Sequence, residues 1–176
     1  FMDRKSIQIV FIIAIVVFIV YVIFSIRTNK GVLEGDDPFI GAKNANVTIV
    51  HFGCYDCQET AEMNYLLNKA LQLYPDIKII FRDFPNPFSN LSKEYSIAAN
   101  CANQQKKFWE YHDLLLSNVS TLNEGKIRGY AGQLEINLKK FNSCLGSNIY
   151  LEVERDVADA KIAGVTKIPT IFVNGV

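Results

Sequence analysis

The stretch VTIVHFGCYDCQET, residues 47–60, decides the fold because a strand pattern gives way to a helix pattern around its two cysteines. Residues 47–52 form a short, mostly apolar run rich in β-branched side chains, which is typical of a buried strand. From Asp56 to Tyr74, apolar residues recur at steps of three and four, which predicts an amphipathic helix. The run IKIIFRDFP at residues 77–85 predicts a second strand. Strand, helix and strand form a βαβ unit, so the two strands should be parallel.

The two cysteines, Cys54 and Cys57, lie in the turn between the first strand and the helix. Unpaired backbone N–H groups and the helix dipole stabilise a thiolate at a helix N-terminus, and the thiolate is the attacking species in disulfide exchange. A second thiol three residues away can resolve a mixed disulfide. We therefore predict that this pair is catalytic and redox-active. A thiolate-ligand metal site and an inert structural disulfide are the alternatives.

A closed zinc site is not expected, because such a site needs four ligands. His51 lies in the strand, where neighbouring side chains alternate in direction, and Cys101 and Cys144 are far along the chain. The sequence therefore predicts no metal ligands. Cys101 and Cys144 are expected either to form a structural disulfide or to remain two buried thiols.

A mostly helical stretch is predicted from residue 91 to about residue 163, followed by a loop and a strand in TKIPTIFVNG. The aromatic-rich segment FWEYH, residues 108–112, is expected to pack in the core, with His112 hydrogen-bonded locally. The bond before Pro169 is one that tolerates cis geometry, although trans is the commoner form on sequence alone.

An apolar run from residue 7 to residue 26 predicts a transmembrane anchor, because a helix of about 20 residues spans a bilayer core of about 30 Å. The run is longer than the apolar region of a signal peptide. Residues 1–6 would be a tail, residues 27–35 a linker, and residues 36–176 the large domain. Basic residues flank the run on both sides, so the positive-inside rule does not orient it. The four cysteines favour a domain outside the cytoplasm.

The charge balance argues against nucleic acid as a partner. The chain has 18 basic and 18 acidic residues and a formal net charge of zero. No basic stripe stands out along the sequence, and such a stripe is the usual footprint of nucleic-acid binding.

Several motifs occur in one order along residues 36–176: DDPFIGAKNANVTIVHF, the paired cysteines, IIFRDFP, AANCANQQKKFWEYHDLLL, FNSCL and AGVTKIPTIFVNG. Together they resemble the DsbA-like family of thioredoxin-fold thiol–disulfide oxidoreductases. The resemblance implies an α/β thioredoxin fold with a helical insertion at about residues 91–163. It also implies that Pro169 is cis and faces the cysteines. Because the chain ends at Val176, we expect the family's last strand and helix to be missing.

The resemblance also implies a function. The protein would act without a cofactor on cysteine-containing protein substrates outside the cytoplasm, and an unidentified redox partner would recycle it. Ile168, Pro169 and Thr170 would hold the substrate strand beside the active disulfide through β-type pairing. The alternative is a non-catalytic thioredoxin-like module that binds a protein or a metal.

The register of the cysteines departs from the family pattern. The usual motif, Cys-Pro-x-Cys, begins about five residues after the strand's last phenylalanine. Counting from Phe52 reaches Cys57, so the second cysteine position is occupied by Thr60, and Cys54 lies in the preceding loop. This register favours Cys57 as the nucleophile and Cys54 as the resolving thiol. The opposite assignment remains open.

Asp56 is the second departure from the family pattern. With Glu59 it fits a capping box, which would make Cys57 the first helical residue. A carboxylate beside a thiol also disfavours the thiolate. We therefore predict a reduction potential nearer to the roughly −270 mV of thioredoxin than to the roughly −120 mV of DsbA. Asp56, Thr60 and His51 are the residues expected to tune the thiols.

Overall fold

The structure is a computed structural model that describes residues 4–33 and 37–176, with side-chain surroundings for residues 7–23 and 37–176. The elements in chain order are α1 Arg4–Leu33, β1 Phe39–Gly41, β2 Thr48–Gly53, α2 Gln58–Leu73, β3 Lys78–Asp83, α3 Asn90–Asn103, α4 Phe108–Ser117, a 3₁₀ turn Val119–Thr121, α5 Glu124–Gln133, α6 Leu138–Leu145, α7 Tyr150–Ile162 and β4 Thr170–Val173.

The strands form one sheet in the order β1-β3-β2-β4. Strands β2 and β3 are parallel, as the βαβ pattern predicts, whereas β1 and β4 are antiparallel to their neighbours. Phe52 pairs with Arg82 on β3 and with Thr170 on β4. The end of β2, the end of β3 and the start of β4 therefore meet at the same end of the sheet.

Helices cover both faces of this sheet, which explains why β2 and β3 are buried along most of their length. On one face, Leu67 of α2 packs with Ile79 of β3. On the other face, Ala160 of α7 packs with Val50 and Phe52. The thioredoxin-type α/β architecture expected from the sequence is confirmed.

Helices α3 to α7 lie between β3 and β4, and the apolar faces of α3 to α6 form a second core. In this core Phe108, Tyr111 and His112 are buried, as expected for the aromatic segment. A disulfide joins Cys101 of α3 to Cys144 of α6, with their Cα atoms 5.7 Å apart.

Helix α1 runs from Arg4 through Leu33, so most of the segment expected to be a linker is helical. A glycine inside a helix costs only about 1 kcal/mol, which explains how the helix passes residue 31. The described side chains of α1, at residues 7–23, are all exposed. No helix among the residues that the structure describes is long and apolar enough to cross a membrane. The expected tail and linker extend into residues 1–3 and 34–35, which lie outside the described residues, and the side-chain surroundings of the expected anchor are described only to residue 23.

Candidate active site

Cys54 and Cys57 form a disulfide in the turn between β2 and α2, with their Cα atoms 5.4 Å apart. Cys54 is completely buried, whereas Cys57 is half-buried. A partner molecule can therefore reach the sulfur of Cys57 but not that of Cys54.

Cys57 is the N-cap of α2, and the helix begins at Gln58. Its backbone is extended, and its carbonyl accepts hydrogen bonds from the N–H groups of Thr60 at 3.1 Å and Ala61 at 3.3 Å. The expected capping box, with Asp56 as the N-cap, is therefore wrong. The N-cap is the next residue, Cys57, and the carboxylate of Asp56 is hydrogen-bonded to Ser92 instead. The N-cap position places the side chain of Cys57 directly at the positive end of the helix dipole.

Thr60 supports the buried half of the disulfide. Its side chain is fully buried, and Oγ1 accepts a hydrogen bond from the backbone N–H of Cys54 at 3.2 Å. The same oxygen lies 3.9 Å from the sulfur of Cys54. The approach is so close that a Cβ atom at Gly53 would collide with the methyl group of Thr60 and lie 3.0 Å from the ring of Phe81. Thr60 thus contacts both the backbone and the sulfur of Cys54.

Asp56 links the turn to the start of α3. Its Oδ1 accepts a 2.5 Å hydrogen bond from the hydroxyl of Ser92, which in turn accepts from the backbone N–H of Asn86 at 2.9 Å. Oδ1 also lies 3.9 Å from the sulfur of Cys57. Together with the two sulfurs, the Asp56 carboxylate forms a group of three possible metal-ligating atoms within 4.8 Å of one another.

Tyr55 anchors the turn through a buried chain of hydrogen bonds that the sequence did not reveal. Because a carboxylate only accepts, Asn64 donates through Nδ2 to Asp113 at 3.1 Å and presents Oδ1 to His112. His112 therefore carries its proton on Nε2, which donates to Asn64 at 3.1 Å, and its Nδ1 accepts from the hydroxyl of Tyr55 at 3.1 Å. Burial lowers the pKa of His112 to about 3, so the ring is neutral. The expectation that His112 is hydrogen-bonded locally is wrong, because its partners Tyr55 and Asn64 lie 57 and 48 residues away along the chain.

No local sequence pattern predicts these hydrogen bonds, because the residues that they join are 48 to 57 positions apart in the sequence. The one available hint was an aromatic residue with a hydroxyl group between two cysteines. A buried tyrosine hydroxyl needs a partner, but pattern reasoning could not say where along the chain that partner lies.

His51 is a buried neutral ring on β2. Its ring packs edge-on against Phe81 with 5.4 Å between centroids, and Phe81 also contacts the ring of Tyr55. Burial lowers the pKa of His51 to about 4. Its Nε2 atom is buried without a hydrogen-bond partner among the described residues. The structure thus places His51 in the aromatic cluster that also holds Tyr55.

Pro169 follows a cis peptide bond and directly precedes β4. The cis form agrees with the family resemblance rather than with the commoner trans form expected from sequence alone. Thr170 pairs with Phe52, two residues before Cys54, and its hydroxyl donates to the carbonyl of Lys167 at 2.6 Å. Ile168, Pro169 and Thr170 are all half-buried. Strand pairing therefore brings residues 168–170 to the same end of the sheet as the disulfide.

A buried charge cluster, also missed by sequence reasoning, fixes the end of β3. Arg82 is 1% exposed and donates to Asp156 at 2.6 and 2.9 Å and to Asp159 at 2.7 Å. Asp156 also accepts from the backbone N–H of Asp83, whose carboxylate accepts from Asn100 at 2.8 Å. Burial raises the pKa of Asp83 to about 6. The cluster ties β3 to α3 and α7 immediately beside the active-site turn.

Comparison with curated proteins gives relatives of moderate identity, among them the Na(+)/H(+) antiporter NhaA 3 of Salinispora tropica, which is 29% identical over 144 residues that cover 79% of this chain and 22% of that protein. The Na(+)/H(+) antiporter NhaA 1 of Salinispora arenicola is 31% identical over 144 residues, which cover 79% of this chain and 22% of the antiporter. The chain thus spans about a fifth of the length of this relative.

Solved structures show the same fold. The thiol-disulfide exchange protein alpha-DsbA2 of Wolbachia pipientis superposes with a TM-score of 0.74 at 19% identity, covering 86% of this chain and 88% of that protein. A periplasmic thioredoxin-like protein from Salmonella enterica serovar Typhimurium superposes with a TM-score of 0.68 at 20% identity, covering 83% of each chain. The thioredoxin family profile matches residues 33–176, which include the whole sheet and the disulfide turn. This chain therefore belongs to the thioredoxin family.

Proposed function

We propose that this protein is a thiol–disulfide oxidoreductase that acts on cysteine-containing proteins outside the cytoplasm through Cys54 and Cys57. The observation that carries the proposal is the disulfide between buried Cys54 and half-buried Cys57 at the N-terminus of α2. This disulfide lies at the end of the sheet where cis-Pro169 precedes β4. Membership of the thioredoxin family and the likeness to a thiol-disulfide exchange protein support it. No cofactor is required for the exchange.

In the oxidising direction, a substrate thiolate attacks the accessible sulfur of Cys57 and the disulfide bond to Cys54 breaks. Cys54 leaves as a thiolate and takes a proton, and the substrate is held as a mixed disulfide on Cys57. A second substrate thiolate then attacks the substrate's own sulfur and releases Cys57. Two electrons pass from substrate to protein, the substrate gains a disulfide, and the pair becomes two thiols. A redox partner returns the pair to the disulfide by the reverse exchange.

In the reducing direction, Cys57 is the nucleophile and Cys54 resolves the mixed disulfide. Two features support this assignment. Cys57 is at the N-cap, where the helix dipole and free N–H groups stabilise a thiolate. Cys54 is buried against the hydroxyl of Thr60, which holds it close to Cys57 but away from solvent. Asp56, Thr60 and His51 would set the relative stability of the two thiolates.

Ile168, Pro169 and Thr170 would bind the substrate strand. Strand β4 lies at one edge of the sheet that the structure describes, and the residues that precede it are half-buried. An extended peptide could pair with this backbone next to the disulfide turn, as in other β-type peptide recognition.

We further propose that residues 7–26 anchor the protein in a membrane, with residues 36–176 forming the oxidoreductase domain on the extracytoplasmic side. The exposed, almost uniformly apolar side chains at residues 7–23 support the anchor. The disulfides Cys54–Cys57 and Cys101–Cys144 support an oxidising compartment. If the protein is released from membranes by alkaline carbonate washing, the anchor is wrong.

The redox proposal is tested by thiol oxidation and insulin reduction assays on the full chain purified in mild detergent. Cys57→Ser should lose activity and form no mixed disulfide. Cys54→Ser should accumulate a mixed disulfide with substrate through Cys57. The paired variant Cys101→Ala with Cys144→Ala is the control and should retain exchange activity. Full activity in both single variants would refute the redox function.

The same experiment separates the oxidoreductase from a non-catalytic binding module. The observation that favours such a module is Thr60, a residue without a thiol at the usual second-cysteine position. A binding module would capture partners equally well with Cys54→Ser, Cys57→Ser or neither, and no disulfide-linked species would form.

A further inference from the structure

Three atoms in the active-site turn have the chemistry of metal ligands. The sulfurs of Cys54 and Cys57 and a carboxylate oxygen of Asp56 all lie within 4.8 Å of one another. The distance from Cys57 Sγ to Asp56 Oδ1 is 3.9 Å. A tetrahedral Zn²⁺ with bonds of about 2.3 Å to sulfur and about 2.0 Å to oxygen places those two atoms about 3.5 Å apart. The Cys57 sulfur and the Asp56 oxygen are thus near ligand spacing already in the oxidised protein, and reduction of the disulfide frees the two sulfurs to separate to ligand positions.

Charge favours a cation at this place once the disulfide is reduced. Two thiolates and a carboxylate would put three negative charges in one turn. Asp56 forms no ion pair with any residue that the structure describes, so no basic side chain there offsets this charge. A divalent cation would remove the repulsion that otherwise disfavours the thiolates.

The surroundings hold the donors in place. The hydroxyl of Ser92 orients the Asp56 carboxylate through the 2.5 Å hydrogen bond to Oδ1, an arrangement typical of the outer shell of metal sites. Thr60 fixes the backbone of Cys54. Because Asp56 and Cys57 are only half-buried, a water molecule can supply a fourth ligand from the open side. Two thiolates with one carboxylate match Zn²⁺ and not the all-oxygen preference of Mg²⁺ or Ca²⁺.

We propose that the reduced protein binds one Zn²⁺ through Cys54, Cys57 and Asp56, and that the metal blocks thiol–disulfide exchange until it is released. The disulfide must first be reduced by two electrons from a dithiol, which itself becomes a disulfide. Zn²⁺ then displaces the two thiol protons into solvent, and its oxidation state does not change. The proposal rests on a reducible Cys54–Cys57 pair but not on turnover of any substrate.

The test is a titration of the full chain with Zn²⁺ in the presence of a chromogenic chelator, without oxygen, after reduction and removal of the reductant. The reduced protein should bind one Zn²⁺ per chain, and the oxidised protein should bind none at this site. Asp56→Asn should weaken binding at least about tenfold. Glu59→Gln removes an exposed carboxylate from the same helix turn and should leave the affinity unchanged.

Three results would overturn the metal site: no binding to the reduced protein, equal affinity in the Asp56→Asn variant, or one Zn²⁺ shared by two chains. The comparison of reduced with oxidised protein is made in the Cys101→Ala with Cys144→Ala variant, so that the second disulfide cannot supply the thiolates, and it decides the matter even if Asp56→Asn disturbs folding. Exchange assays on metal-free protein, run in parallel, distinguish failure of the metal site from failure of the oxidoreductase function. Activity with no Zn²⁺ binding would refute only the metal site.

Discussion

The hydroxyl of Tyr55 donates a 3.1 Å hydrogen bond to Nδ1 of His112, which connects the residue beside Cys54 to a helix 57 positions along the chain. Nε2 of the same histidine donates to Asn64 on α2, the helix capped by Cys57. The turn is therefore held from both sides by one buried ring. This arrangement explains how Cys54 can stay buried while Cys57, three residues later, remains accessible.

Removal of the Tyr55 hydroxyl should destabilise the protein. Tyr55→Phe leaves Nδ1 of His112 buried without a donor, which costs about 1–3 kcal/mol of unfolding free energy. Urea denaturation of the oxidised protein measures the loss. Tyr65→Phe is the matched control, because Tyr65 is 59% exposed on α2 and its hydroxyl is free to bond to water. Equal stability of the Tyr55→Phe variant and the unaltered protein would show that the hydrogen bond contributes nothing.

Acid should destabilise the protein through His51. Burial lowers its pKa to about 4, against about 6.5 in the unfolded chain, so the unfolded state binds the proton first as pH falls. The stability is complete above pH 6.5 and is lost progressively down to about pH 4. The shift corresponds to roughly 3 kcal/mol.

A comparison of the unaltered protein with His51→Phe isolates this effect from the other buried titrating groups. The variant cannot bind the proton, so its stability relative to the unaltered protein should rise by roughly 3 kcal/mol between pH 7 and pH 4. The offset at pH 7 reports packing and is not part of the prediction. Parallel stability curves for the two proteins over this range would contradict it.

The buried cation on β3 should be among the most sensitive positions in the fold. Arg82→Met leaves the carboxylates of Asp156 and Asp159 without their guanidinium partner, and breaking a buried pair in this way costs about 3–5 kcal/mol. Lys93→Met breaks the exposed pair with Glu154, whose N–O distance is 2.9 Å, and should cost about 0–1 kcal/mol. Chemical denaturation of the two variants side by side checks the contrast. A loss below about 1 kcal/mol for Arg82→Met would mean that the cluster does not hold β3.

The disulfide between Cys101 and Cys144 should stabilise the helical region without taking part in exchange. It closes a loop with a sequence separation of 43, for which loop entropy predicts about 4 kcal/mol. The double variant to alanine should lose about 2–4 kcal/mol of unfolding free energy and keep its activity at permissive temperature. Non-reducing peptide mapping checks the pairing directly, and two free thiols in the native oxidised protein would contradict it.

Local patterns were enough to predict the βαβ unit and the placement of the cysteine pair, because each depends on residues close together in the chain. The β-branched run of β2, the periodicity of α2 and the paired cysteines at their junction are all adjacent in the sequence. The Tyr55–His112 hydrogen bond and the Arg82 cluster could not be predicted in the same way. Each joins side chains about 50 or more residues apart, and only tertiary packing brings such groups together.

The start of α2 was predicted one residue too early for a related reason. Asp56 and Glu59 have the spacing of a capping box, but the capping residue must be free to turn back on its own helix. Ser92, from a different helix, takes the carboxylate of Asp56 instead, and Cys57 becomes the N-cap. The start of α2 therefore depends on a hydrogen bond between residues 36 positions apart, and this start places the more accessible sulfur, that of Cys57, at the helix terminus.

Asp56 should limit the oxidising power of the disulfide. Its Oδ1 lies 3.9 Å from the sulfur of Cys57, where a negative charge disfavours the thiolate and therefore the reduced form. We expect a reduction potential nearer to about −270 mV than to about −120 mV. Asp56→Asn removes the charge and keeps the shape, so the potential should rise by about 30–60 mV, which corresponds to roughly 1.4–2.8 kcal/mol for a two-electron couple.

Equilibration with glutathione buffers under metal-free conditions measures both values, with Glu59→Gln as the control for a general loss of negative charge. A potential near −120 mV for the unaltered protein, or an unchanged potential in Asp56→Asn, would show that this carboxylate does not govern the pair, because its only effect on the couple should be through the energy of the neighbouring thiolate.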